Sequence, residues 1–238
     1  MKRFAGEELF WGEITHRDEN LIFQGDDIDH ILKVMRHKIG DRIFITEGDG
    51  SIIEVLINQT DHEQIECKLI ATHKIENRLS QIEIAIPRLK SNDKIKFCLE
   101  KLVETGFSRF VFYESDFTVG KGFKVEQWRK TAIAAAKQSF NPFAPEIQFV
   151  PKFDSLFDRG SKIIGFDLEA GKSFADFTPD PTTGYILITG PEGGLSRREL
   201  AKFEKENLFH LTQNRLRSET AVLYSAFNLS RFYLKQAD

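Results

Sequence analysis

Cysteine is scarce in the 238 residues: Cys67 and Cys98 stand alone, with no CxxC pair. That excludes a disulfide-stapled framework, and both thiols are expected to be reduced core residues of a cytoplasmic protein. The six histidines are scattered and the acidic residues show no ligand spacing, so no metal centre is expected. Charge of one sign is also lacking. Lys and Arg number 33 against 36 Asp and Glu, a net of −3. This argues against a general polyanion binder, although a local basic patch is compatible with such a balance. The start, MKRFAGEELFW, has no hydrophobic signal core, and no apolar run is long enough to span a bilayer.

The chain is long enough to bury a sizeable core, as one large domain or two smaller ones. Its 22 phenylalanines are mostly expected inside, with a few exposed ones available to stack on RNA bases. The most informative stretch runs from Gly184 to Ala221. An apolar, β-branched run, Tyr185 to Thr189, enters Gly190-Pro191-Glu192-Gly193-Gly194. This reads as a buried strand followed by a glycine-rich turn. Adjacent glycines let a backbone turn through positive φ and let a flat ligand come close. The turn fits neither GxxxxGK[ST] nor GxGxxG. Ser196 and Glu199 form a capping box that starts a helix. A second strand, Leu208 to Thr212, leads into a polar loop, and a last helix begins near Ser218. Two consecutive strand-to-helix turns are thus rich in polar and glycine residues, and in open α/β sheets ligands sit beyond such strand ends.

Gly190-Pro191-Glu192-Gly193-Gly194-Leu195-Ser196, together with Arg215-Leu216-Arg217-Ser218-Glu219-Thr220-Ala221, resembles the paired signature of the RsmE-type methyltransferases. These SPOUT-class enzymes methylate N3 of a uridine in small-subunit ribosomal RNA with S-adenosylmethionine. The second motif usually reads LRTETA, so Ser218 is a conservative departure. The resemblance covers essentially the whole chain and is sharpest from 185 to 227.

The rest of the chain can be read beside it. Residues 1–73 hold short strand-like runs, at 20–23, 42–46, 51–57 and 64–70, separated by Gly, Asp and Asn. Such spacing suggests a small barrel. The helix-like piece Asp26 to His37 carries His30, Val34 and Arg36, and Gly40-Asp41 follows. It resembles a segment of the family's PUA-like RNA-binding domain. His30 is a candidate RNA contact or a polar cap of that helix. Arg36 with Arg3, Lys33 and Lys38 forms a candidate phosphate patch or a solvated face.

Residues 74–80 read as a linker, and residues 81–238 as a second domain. That domain opens with a strand at 81–87, a helix at 93–105 and a strand at 109–113, an order that implies a parallel βαβ unit. A helix rich in alanine then runs from Gln127 to Ser139. The family's strand normally ends in a Glu-Arg-Ser-like triplet; Glu114-Ser115-Asp116 stands here, without the arginine. An arginine that commonly follows Gln138-Ser139 is replaced by Phe140-Asn141-Pro142.

The resemblance implies an α/β fold. A C-terminal SPOUT domain, a parallel sheet whose last segment is threaded into a trefoil knot, would follow a small PUA-like β-barrel. It also implies a homodimer, and the expected substrate is small-subunit ribosomal RNA assembled in a particle rather than free. The cofactor, S-adenosylmethionine, is expected against Leu168, Glu169, Ile188, Gly190, Gly193, Gly194, Leu211, Leu216, Ser218, Thr220 and Ala221. Uridine N3 carries a proton near neutral pH, so the reaction needs a base or a stabiliser of the deprotonated ring. Arg217 is the expected stabiliser of the ring's negative charge or a phosphate contact, and Glu192 or Glu219 the expected proton acceptor; for Glu192 a reading with no catalytic part stands level, and Glu219 is better explained by its place at a helix N-terminus. Arg215 is expected to contact RNA. Two other readings stay open at this stage: a SPOUT methyltransferase with another RNA target, and a non-catalytic RNA-binding assembly factor.

Overall fold

The computed structural model describes residues 4, 6–17, 19–120 and 122–234. They divide into two compact units, Met1–Asn77 with Ile133–Ala144, and Arg78–Ala132 with Pro145–Asp238. The expectation placed 81–238 together; in the structure Ile133–Ala144 belongs with the first unit instead.

The first unit is a six-stranded sheet. Its strands are β1 (Leu9–Trp11), β2 (Glu13–Arg17), β3 (Asn20–Gln24), β4 (Arg42–Thr46), β5 (Ser51–Thr60) and β6 (Gln64–Lys74). They lie in the order β1-β4-β5-β6-β3-β2, antiparallel except for β1 beside β4. Phe10 of β1 and Leu21 and Phe23 of β3 share one core with Ile43, Ile45, Val55 and Ile65. Strands far apart in the sheet order therefore meet, so the sheet curls around its core. Register shifts in β5 at Glu54/Val55 and Ile57/Gln59 supply bends of the kind that bulges impose. The helix expected from Asp26 to His37 is only a π-type turn, His30–Val34, followed by Arg36 at φ 61°. One buried side chain, Ile31, anchors that turn, too little apolar surface to hold a longer helix. Phe140 seats the segment Ile133–Ala144, stacking on Phe4 at 4.8 Å and meeting Phe44 edge-on at 5.7 Å.

The second unit is a parallel sheet flanked by helices. Its strands are β7 (Ile82–Pro87), β8 (Arg109–Tyr113), β9 (Glu146–Val150), β10 (Lys162–Phe166), β11 (Tyr185–Thr189) and β12 (Leu208–Phe209), in the order β12-β10-β11-β7-β8-β9. The helices are α1 (Asn92–Glu104), α2 (Val125–Gln138, whose end lies in the first unit), α3 (Arg197–Leu200) and α4 (Ser218–Leu234). Every residue of β7 and β11 is buried, as central parallel strands covered on both faces require. Glu83 is the charged exception in β7, and Arg159 clamps its carboxylate with two hydrogen bonds of 2.6 and 2.7 Å. β12 ends at Phe209 rather than Thr212, and α3 is a single turn.

Candidate active site

Because the six strands run parallel, the loops after β10, β11 and β12 leave the same end of the sheet. There they enclose a cavity of about 700 Å³. The first loop contributes Leu168 and Glu169, the second Gly190, Glu192, Gly193 and Gly194, and the third Leu211, Arg215, Leu216 and Arg217, with Ser218 and Ala221 from the start of α4. Two residues of the expected cofactor set stand outside this wall. The side chain of Ile188 points into the core with Ile186, Ala85 and Val111, since alternate strand positions share a face. Thr220 is exposed: on α4, Ser218 and Ala221 share the side that meets the cavity, and Thr220 turns away from it.

The loop's glycines have separate reasons. A Cβ at Gly190 would come within 2.7 to 2.9 Å of the backbone at Gly194 and Leu195, so the loop can fold back on itself only with glycine there. Gly194 sits at φ 77° with open space around it, and its requirement is conformational. Neither reason is the close ligand approach that the sequence suggested.

The charges are paired unevenly. Among the described residues, the guanidinium groups of Arg215 and Arg217 have no ion-pair or hydrogen-bond partner, and both residues are exposed at the cavity. Glu192 Oε1 accepts the Lys90 N–H at 3.1 Å and lies 4.0 Å from Lys94 Nζ. Lys94 also reaches Glu219 Oε2 at 3.0 Å. Glu219 is thus tied to α1 and is not part of the cavity wall. Sequence reasoning missed Lys94: a lysine in the first turn of a helix is ordinary, and nothing local reveals that it lines the cavity between two carboxylates.

The loop after β8 carries the departure Glu114-Ser115-Asp116, and these residues brace the glycine loop. Fully buried Glu199 accepts hydrogen bonds from Ser115 Oγ (2.9 Å), Asp116 N (2.9 Å) and Ser196 N (2.8 Å). Ser196 Oγ in turn accepts from Glu199 N, completing the expected capping box. Arg198 bonds Asp116 at 2.8 and 3.0 Å and holds its carboxyl below the usual range, helped by the Ser196 hydroxyl.

The other basic candidates lie in the first unit. His30 Nε2 is 3.9 Å from Glu8, Lys33 pairs with Asp29 at 2.8 Å, and Arg36 and Lys38 are exposed. Arg3 lies outside the described residues. Among the described residues no group of three or more His, Cys, Asp or Glu is placed to hold a metal ion, and no helix is long and apolar enough to cross a membrane.

A parallel sheet with a glycine-lined cavity at its strand ends, on a chain that also folds a small β unit, defines a two-unit α/β protein whose ligand site is built by strand-end loops. Comparison with known proteins narrows the class. Residues 75–230 match the family described as "RNA methyltransferase domain", and residues 23–70 match "RNA methyltransferase PUA domain". The chain therefore belongs to the RNA methyltransferase family, with a PUA domain at its N-terminal side. It is similar to the Ribosomal RNA small subunit methyltransferase E of Bacillus subtilis (strain 168), 26% identical over 226 residues that cover 87% of this chain and 88% of that one. It is also similar to the solved structure of a probable rRNA-methyltransferase from Porphyromonas gingivalis, with a TM-score of 0.82, 26% identity, and 96% and 99% of the two chains covered. The fold is shared with a Ribosomal RNA small subunit methyltransferase E from Neisseria gonorrhoeae bound to S-adenosyl methionine, at a TM-score of 0.82 and 19% identity over 95% and 98% of the chains. The RsmE resemblance and the expected α/β fold with an N-terminal PUA domain are borne out.

Proposed function

We propose that this protein methylates N3 of a uridine in small-subunit ribosomal RNA, with S-adenosylmethionine as methyl donor. The observation that carries the reading is the single cavity wall on which the GPEGG and LRSETA segments meet. The name of the Bacillus subtilis relative supports the small-subunit RNA, and the ligand of the Neisseria gonorrhoeae structure supports the cofactor.

The residues fit that cofactor. A cavity of about 700 Å³ falls within the roughly 300–1,000 Å³ that holds such ligands. Leu168, Leu211 and Leu216 give apolar surface for adenine, and Glu169, Gly190, Gly193, Gly194, Ser218 and Ala221 give main-chain and polar contacts. Bound there, S-adenosylmethionine supplies an electrophilic methyl group for in-line attack by the uridine nitrogen. The chain's own residues prepare that nitrogen. Glu192, steered by the Lys90 N–H and by Lys94, accepts the N3 proton. Arg217, whose guanidinium has no internal partner among the described residues, stabilises the negative charge on the uracil oxygens. N3 is a pairing atom, so the uridine must be unpaired or flipped out. His30, Lys33, Arg36, Lys38 and Arg215 serve as phosphate contacts on an RNA held in an assembled particle.

The protein acts as a homodimer in the cytoplasm. Tyr224, Phe227 and Leu234 support the dimer, for they leave apolar surface exposed along one face of α4.

Nucleoside mass spectrometry of small-subunit RNA from cells with and without the gene tests the proposal. Loss of 3-methyluridine, restored by the intact gene, is the expected result. Persistence of 3-methyluridine with loss of another methylated nucleoside would move the target atom.

A further inference from the structure

Thr189 ends β11 and lines the cavity, yet it is only 2% exposed, and its Oγ1 has no hydrogen-bond partner among the described residues. A buried hydroxyl left without a partner is costly, and native proteins keep few of them. The residue has little freedom to turn elsewhere. Its carbonyl accepts a hydrogen bond from the buried Tyr113 hydroxyl, and β11 is paired on both sides, to β10 and β7. Ile188 fills the core on one face of the strand, so the Thr189 side chain stands on the other. Its register partner on β10 is Phe166, which also lines the cavity.

We infer that Thr189 Oγ1 hydrogen-bonds a polar edge atom of the adenosine half of the cofactor, and so makes the floor of the cavity selective for a nucleoside. This rests on the cofactor reading above. The cavity's chemistry assigns the half. Phe166, Leu195, Leu211 and Leu216 provide the apolar surface that a heteroaromatic ring fills, whereas Lys94 and Glu169 suit the charged methionyl end. A hydroxyl both donates and accepts, so it can meet a ring nitrogen, an exocyclic amine or a ribose hydroxyl.

The test uses the full chain with Thr189→Val, which keeps shape and removes the hydroxyl, and Thr189→Ser, which keeps the hydroxyl. Calorimetric titration is carried out with S-adenosylhomocysteine and with 5′-methylthioadenosine, which retains the nucleoside and lacks the amino-acid tail. Thermal unfolding without ligand is measured on the same samples. For Thr189→Val, affinity for both ligands is expected to fall about tenfold, the loss of roughly one hydrogen bond. Its ligand-free melting temperature should equal or exceed that of the parent, because an unsatisfied hydroxyl has been removed. Thr189→Ser should stay within about threefold of the parent in affinity. Unchanged affinity in Thr189→Val would overturn the inference. So would a loss confined to S-adenosylhomocysteine, which would move the contact to the amino-acid half, or a large drop in ligand-free stability, which would reveal a partner within the protein. If the parent chain bound neither ligand, the cofactor reading itself would fall, an outcome separate from any behaviour of the variants.

Discussion

Arg217 has no carboxylate to neutralise it among the described residues. Arg42, Arg109, Arg129, Arg159 and Arg198 are each paired. A lone guanidinium at a cavity is available to a substrate that gains negative charge during reaction. Arg217→Ala is expected to reduce single-turnover methyl transfer by about 100-fold or more, the scale of one lost charge-stabilising donor. Affinity for S-adenosylhomocysteine, measured by calorimetry, should change little. At Gly194 the backbone decides the outcome. Its φ of 77° penalises any side chain, and most of all a β-branched one. Gly194→Val is expected to weaken cofactor binding by displacing the loop, although no atom stands within 4 Å of the added Cβ. A titration of that variant checks it. The glycine cluster was legible in the sequence as a turn, but its reasons were not, because the contact between Gly190 and the Gly194–Leu195 backbone exists only once the loop is closed.

At the scale of elements, local patterns were readable where an element carries its own signal. The long apolar faces of α1 and α4, the buried strands β7 and β11, and the Ser196–Glu199 box all show in the residue order. β2 did not, because an edge strand such as Glu13–Arg17, with one apolar residue, has no alternation to detect. The loop after β8 was read through what it lacks, an arginine. Folded, it is a brace: Ser115 and Asp116 bring two donors to Glu199, the carboxylate that also caps α3. Replacing one acceptor oxygen by an amide leaves a buried N–H facing another donor. Glu199→Gln is therefore expected to cost about 2 kcal/mol. That corresponds to a melting temperature lower by roughly 4–8 °C in a chain of this size, readable by calorimetry.

For the whole molecule, stability should fall in alkali for a reason tied to its two cysteines. Burial pushes the Cys67 and Cys98 thiols up from 9.0 to about 12, with smaller contributions in the same direction from Glu66 and Glu219. Burial raises the Tyr113 hydroxyl as well. Groups whose folded values are raised contribute stability that is complete below their unfolded values and is lost as pH climbs toward the folded ones. Urea midpoints are thus expected to hold steady up to about pH 8.5 and to decline between there and pH 12. The doubly substituted Cys67→Ser, Cys98→Ser chain should decline less steeply. The same burial makes both thiols poor nucleophiles at neutral pH.

The residue order by itself determined the family, through two motifs that are each contiguous in the chain, and most of the strands and helices, because those arise from local periodicity. Only the tertiary structure decided which groups stand together. Lys94 beside Glu192 and Glu219, Glu199 beneath Ser115 and Asp116, and the partnerless hydroxyl of Thr189 join residues distant in the chain or depend on what a cavity leaves empty. The segment Ile133–Ala144 follows the same logic: its helix continues unbroken from the second unit, but Phe140 packs with Phe4 and Phe44, and that contact rather than chain continuity places it in the first. Periodicity reports the face that a residue shows to its own element, whereas charge pairing and packing between elements are set by the three-dimensional arrangement, where sequence separation carries no information.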